Sequence, residues 1–138
     1  MRLMSVLFLL AAWFVCSTGG SGLKVTAERP DISGSGKDFL ELCSSVDSEQ
    51  ERDPVRARND ALCLGWVAGF RDGFTVHDEL LGVPPRDRMV CIPGEITNVQ
   101  IIRVIKKYLA ENPDKARRAT RLVASLALVG TFRCKARK

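Results

Sequence analysis

CIPGEITNVQIIRVIKKYLAENPDKARRATRLVASLALVGTFRC, residues 91–134, decides the fold. Thr97 is placed to cap the backbone N–H of Gln100, and the Gln100 side chain reaches back to Thr97, the reciprocal pattern of a capping box. Ile96 before the cap and Ile101 inside it have the spacing of a hydrophobic staple. Ile101, Val104, Ile105 and Tyr108 recur at helical spacing, with Ile102 and Leu109 widening the stripe. Asn112-Pro113 ends this helix and opens the next, Asn112 as N-cap and Pro113 at the first helical position. Ala119, Leu122, Val123, Leu126 and Ala127 form the facing stripe, leaving Lys115, Arg117, Arg118 and Arg121 largely outside it. A short turn makes neighbouring helices antiparallel, so Cys91 and Cys134 arrive at the same end of the pair, where a disulfide forms without moving the backbone.

Export makes that bridge chemically reasonable. Residues 1–27 hold Arg2, an apolar run from Val6 to Val15, small residues and no acid, the layout of a secretory signal peptide. The apolar run falls short of the roughly 20 residues of a membrane span, so a cleaved leader is expected rather than an anchor. Val25-Thr26-Ala27 suits the peptidase, and cleavage nearer Gly19–Gly22 is the alternative. Val15 is too bulky for a lipid-modified Cys16. With the leader gone, Cys43, Cys63, Cys91 and Cys134 remain, an even set for an oxidising compartment. Of the three possible connectivities, the hairpin favours Cys91–Cys134, which leaves Cys43–Cys63. Each loop closure contributes about 3–4 kcal/mol in the chain-entropy model. A zinc site is disfavoured, because the cysteines are scattered with no Cys-x2-Cys pair and no nearby His.

Upstream, residues 28–36 read as a flexible lead-in. Phe39, Leu40, Cys43 and Val46 mark a short helix starting near Gly36–Asp38. Asp53-Pro54 opens a longer helix expected to run to about Phe74. Ala61, Gly65, Gly69 and Gly73 recur every fourth residue along it, and each interior Gly costs about 1 kcal/mol against Ala. Close approach of another backbone would offset this, either within the chain or across a homodimer. Arg56, Arg58, Asp60, Arg71 and Asp72 exclude a membrane span. Trp66 is expected in the core. Residues 75–90, with Leu80, Leu81 and the doublet Pro84-Pro85, form the longest connection, serving either as a partner-insertion loop or as one folding its leucines onto the core.

The function classes narrow quickly. Losing Arg2 and Lys24 with the leader lowers the formal charge from +5 to about +3. Cations accumulate after residue 115, yet few aromatics interleave with them, so a solvated helix face is favoured over a nucleic-acid surface. His77 is the sole histidine, beside Asp78 and Glu79, and with the cysteines bonded it has no nucleophile to activate. No catalytic residue, metal ligand or cofactor site is indicated.

Several ordered motifs together carry a resemblance. They run Phe39-Leu40-x-x-Cys43, then Cys63-Leu64-Gly65-Trp66-Val67-x-Gly69-x-x-Asp72, then Cys91-Ile92-Pro93. Thr97-x-x-Gln100, Val104-x-x-x-Tyr108-Leu109 and Asn112-Pro113 follow, and Ala119-x-x-Leu122-Val123-x-x-Ala127-Leu128-x-x-x-Phe132-x-Cys134 closes the series. The pattern resembles the Rap1a/Tai family of immunity proteins over residues 36–134. The resemblance implies a small helical periplasmic protein that neutralises a peptidoglycan amidase effector of a type VI secretion system, binding over or into its active-site groove and tending to dimerise. The matched cysteines, Gly65, Gly69 and Asp72 are structural in this light, and no inhibitory residue carries over by position. Trp66 departs from the Tyr common in the family, as does the Arg-rich last helix.

The expectation is therefore an all-α, four-helix domain stapled by two disulfides over residues 36–134, after a signal peptide (1–27) and before a basic tail (135–138). It would work in the periplasm by binding a protein, with no nucleic acid and no membrane after cleavage. Candidate contacts are His77, Asp78, Glu79, Leu80 and Leu81, together with the turn at 111–115. The alternative is a periplasmic structural or stress domain of chaperone-like character with no amidase partner.

Overall fold

A computed structural model describes residues 31–48 and 53–134; the expected signal segment and basic tail lie outside the described residues. Four α-helices, α1 (Gly36–Leu42), α2 (Pro54–Leu80), α3 (Asn98–Glu111) and α4 (Thr120–Thr131), make up the fold, with 3-10 turns at Pro85–Asp87 and Pro113–Arg117. No strand occurs among the described residues.

Local chemistry explains the helix starts. At α3, Gln100 N–H donates to Thr97 Oγ1 at 3.2 Å and Thr97 N–H donates to Gln100 Oε1 at 2.8 Å, the expected capping box. At α2, Asp53 Oδ1 accepts from Val55 and Arg56 N–H, both at 2.9 Å, ahead of Pro54. A second capping box, Ser35 with Asp38, starts α1.

Two boundaries differ from the sequence expectation. Helix α2 runs to Leu80 rather than Phe74, because nothing local stops it before Gly82, whose φ of 60° supplies the left-handed turn. Helix α4 starts at Thr120 rather than Pro113. The chain between them is drawn out by α1: Gly36 N–H donates to Arg118 O at 2.9 Å and Thr120 Oγ1–H donates to Ser35 O at 2.8 Å. Asn112 is no side-chain cap; its Nδ2 donates back to Tyr108 O at 2.8 Å.

The core is built on α3. Ile101, Ile102 and Ile105 are fully buried, each contributing about 1.5–3 kcal/mol by leaving water. Phe39 and Leu42 of α1 meet this face, and α4 supplies Val123, Ala124, Ala127 and Leu128. The expected α4 stripe is shifted: Leu122 and Leu126 are 39% and 41% exposed. Helix α2 gives only Cys63 and Val67 as fully buried apolar side chains. Trp66 is half-buried at the core's edge, stacked on Phe70 at a centroid distance of 4.8 Å. Both expected bridges form, Cys43–Cys63 and Cys91–Cys134, with Cα separations of 5.4 and 5.0 Å inside the ordinary range.

The glycine stripe does not pack within the chain. A Cβ at Gly65, Gly69 or Gly73 would meet no atom within 4 Å, because this face of α2 turns away from the core. Close approach occurs at Gly36 instead, where a Cβ would lie 2.9 Å from Leu109 Cδ2 and 3.3 Å from Ala116 O.

Two measurements test these assignments. Gly36→Ala should destabilise the fold by about 1–3 kcal/mol through overpacking, while Gly69→Ala should leave the single chain unchanged or stabilise it by up to about 1 kcal/mol, both read from chemical-denaturation midpoints of the oxidised protein at concentrations low enough to keep it monomeric. Asp47 accepts from Lys106 Nζ at 2.7 Å and stands 3.7 Å from Arg103 Nε, and the Lys106 hydrogen bond holds its carboxyl below the ordinary value of 3.8. A depressed folded-state pKa adds stability that is present above the unfolded value and lost as pH falls through the folded one. Asp47→Asn should therefore flatten the acid limb of the stability–pH curve below about pH 4, without shifting the neutral plateau by more than about 1 kcal/mol.

Candidate partner-binding site

The C-terminal end of α2 is an apolar tip. Leu80 is 80% exposed, Leu81 67% and Met89 62%, with Val76 a turn behind at 52%. Apolar side chains normally leave water, so their retention at a surface marks a contact face when they cluster. The backbone beneath them is fixed. Leu81 N–H bonds His77 O at 3.1 Å, Gly82 N–H bonds Glu79 O at 3.1 Å and Val83 N–H bonds Asp78 O at 2.8 Å. Pro84 and Pro85 then set the chain into the 3-10 turn, closed by Asp87 N–H to Pro84 O at 2.9 Å.

The five residues singled out in the sequence divide into two groups. All but Asp78 are exposed, His77, Glu79 and Leu80 in the last turns of α2 rather than in a loop and Leu81 as its C-cap. Asp78 is buried at 8% exposure and faces inward. Its Oδ1 lies 3.2 Å from His77 Nδ1 and its Oδ2 lies 3.8 Å from Arg88 Nε. Arg88 Nε–H also donates to Val83 O at 3.3 Å, so this acid–arginine contact ties the tip's return segment to the helix.

Behind the tip lies a cleft of about 330 Å³ between α2 and the extended segment 88–93. Arg71, Phe74, Thr75 and Asp78 line it from the helix, Arg88 and Val90 from the segment. Arg71 Nη1–H donates to Ile96 O at 2.6 Å, anchoring the start of α3. Arg71, Thr75 and Asp78 stand at i, i+4 and i+7, one helical face. That spacing was visible in the sequence, but Arg88 meeting it depends on how the loop returns.

The other candidate, the turn at 111–115, is not brought to the tip. The cleft adjoins the N-terminal end of α3 and the turn follows its C-terminal end, about 20 Å away along 14 residues. Asp114 pairs with Lys115 at 2.7 Å, which holds the Asp114 carboxyl below its usual value.

The arrangement offers contact surface and charge. Among the described residues no group of three or more His, Cys, Asp and Glu side chains could hold a metal ion. No helix among them is long and apolar enough to cross a membrane. No curated protein and no solved structure matches the chain. The family model described as Rap1a immunity proteins matches residues 35–134, from the Ser35 cap to the last cysteine. The chain belongs to the Rap1a immunity protein family.

Proposed function

We propose that this protein is an exported immunity protein that inhibits a peptidoglycan amidase effector of a type VI secretion system, seating the α2 tip in or over the enzyme's substrate groove. The observation that carries the reading is the rigid, water-exposed Leu80–Leu81 pair in a member of an immunity family. A preformed apolar projection loses little conformational entropy on docking, which favours affinity. Two disulfides fit an oxidising compartment such as the periplasm, reached through a cleaved leader at residues 1–27. Residues 36–134 are the binding domain and 135–138 a basic tail. His77 and Glu79 supply the polar rim around the leucines, while Asp78 acts beneath them by holding Arg88.

The outward face of α2 supports a homodimer. Leu62 and Val76 are exposed along it, and Gly65, Gly69 and Gly73 leave room for a second helix at close range. Paired copies would bury the apolar face left open in the monomer.

Inhibition of peptidoglycan hydrolysis by a type VI amidase effector tests the main reading. Leu80→Glu with Leu81→Glu should weaken inhibition at least about thirtyfold, the loss expected for a central contact, with an unchanged melting temperature; full inhibition by this double variant would refute the tip's role. For the dimer, sedimentation at micromolar concentration should give a two-chain species that Gly69→Leu converts to monomer. A Gly69→Leu protein that stays dimeric would rule out pairing through this face.

A further inference from the structure

In that reading the cleft behind the tip contacts nothing, its Asp78 and Arg88 serving only to brace the tip, and its chemistry points to a second contact. Its charged lining consists of the guanidinium groups of Arg71 and Arg88 and the carboxylate of Asp78, about one net positive charge at neutral pH. Asp78 already faces Arg88 and His77, which blunts its attraction for an incoming cation. An anion is the better match. Each arginine is held by a backbone carbonyl, Arg71 by Ile96 O at 2.6 Å and Arg88 by Val83 O at 3.3 Å. A guanidinium carries five N–H donors, so these bonds orient the planes while engaging few of them. Oriented guanidinium planes suit the two-oxygen fork of a carboxylate.

Size and wall composition narrow the ligand. A volume of about 330 Å³ sits at the lower end of ligand pockets, room for a side chain rather than a nucleotide. Phe74 from the helix and Val90 and Ile92 from the segment give apolar lining against which methylene groups pack. The Thr75 hydroxyl adds one further donor at the rim.

We propose that this cleft receives a carboxylate carried by a protein partner, a Glu or Asp side chain, held by Arg71 and Arg88. The proposal rests on the reading of the chain as a protein-binding inhibitor and names the chemistry that the partner presents beside the apolar tip. One partner would then be engaged through leucines at the tip and through an acid on the order of 10 Å behind it, as the rise of α2 from Arg71 to Leu80 dictates.

The test uses the full oxidised chain and N-acetyl-glutamate N-methylamide, followed by backbone amide NMR. Saturable shifts clustered at residues 71–78 and 88–93 are expected, with none from the matching glutamine compound. Arg88→Gln should weaken binding about tenfold and Arg88→Lys, which keeps the charge without the fork, by less. Asp78→Asn should tighten binding several-fold by removing a like charge; this opposite sign does not depend on Arg88→Gln folding normally. Equal shifts from the glutamine compound, shifts elsewhere, no shifts, or looser binding by Asp78→Asn would each overturn the proposal. Inorganic phosphate binding as tightly at the same residues would overturn the carboxylate assignment. No amidase enters this experiment, so its failure leaves the tip reading intact, and a failed amidase assay leaves the cleft result standing.

Discussion

A 27-residue helix that fully encloses only Cys63 and Val67 as apolar side chains, with Leu64, Trp66, Phe70 and Phe74 partly buried against the core, is tied to it covalently by the Cys43–Cys63 bridge. Both sulfurs are inaccessible, in the layer where α1 meets α2. Ser45 donates its hydroxyl to the buried Asp60 at 2.7 Å close by, a polar contact that only a fixed helix can maintain. Further along, Arg71 fastens α2 to the chain entering α3. With its inner face packed on the core and fastened by these cross-links, α2 presents an unusual outer surface.

That surface connects the scaffold to binding. The outer face is smooth where three glycines stand and apolar at both ends, and the helix finishes in two exposed leucines. In a protein stabilised mainly by burial, such features would weaken the fold. Here most fully buried apolar side chains lie on α3, α1 and α4, with Cys63 and Val67 from α2, and the outer residues of α2 lie outside that cluster.

The sequence was legible where a signal is local. Thr97 with Gln100 and Asp53 with Pro54 named two helix starts to the residue, and the hairpin argument paired all four cysteines. It failed where distant segments decide. Asn112-Pro113 is compatible with a helix or a 3-10 turn, and the bonds that tie Arg118 and Thr120 to Gly36 and Ser35, far back in the chain, select the turn. The glycine period announced a close approach without saying to what, while the glycine that is crowded, Gly36, belongs to no repeat. At the candidate site His77, Glu79, Leu80 and Leu81 are exposed, while helical spacing puts Asp78 on the Arg71–Thr75 face of α2, and its cover by Arg88 depends on a loop return that no local signal encodes.

The two bridges differ in reach. Cys43 and Cys63 show no accessible surface, whereas Cys91 is exposed and Cys134 half-buried. Thiol–disulfide exchange begins with a thiolate touching a sulfur, so an external reductant meets the outer clasp in the native protein and the inner one only after the helices part. Opening that clasp would leave the C-terminal end joined to the 91 segment by the Cys91 N–H bond to Phe132 O, with α1 and α2 still covalently joined. Mild reducing conditions thus trim the molecule's edge without dismantling its centre.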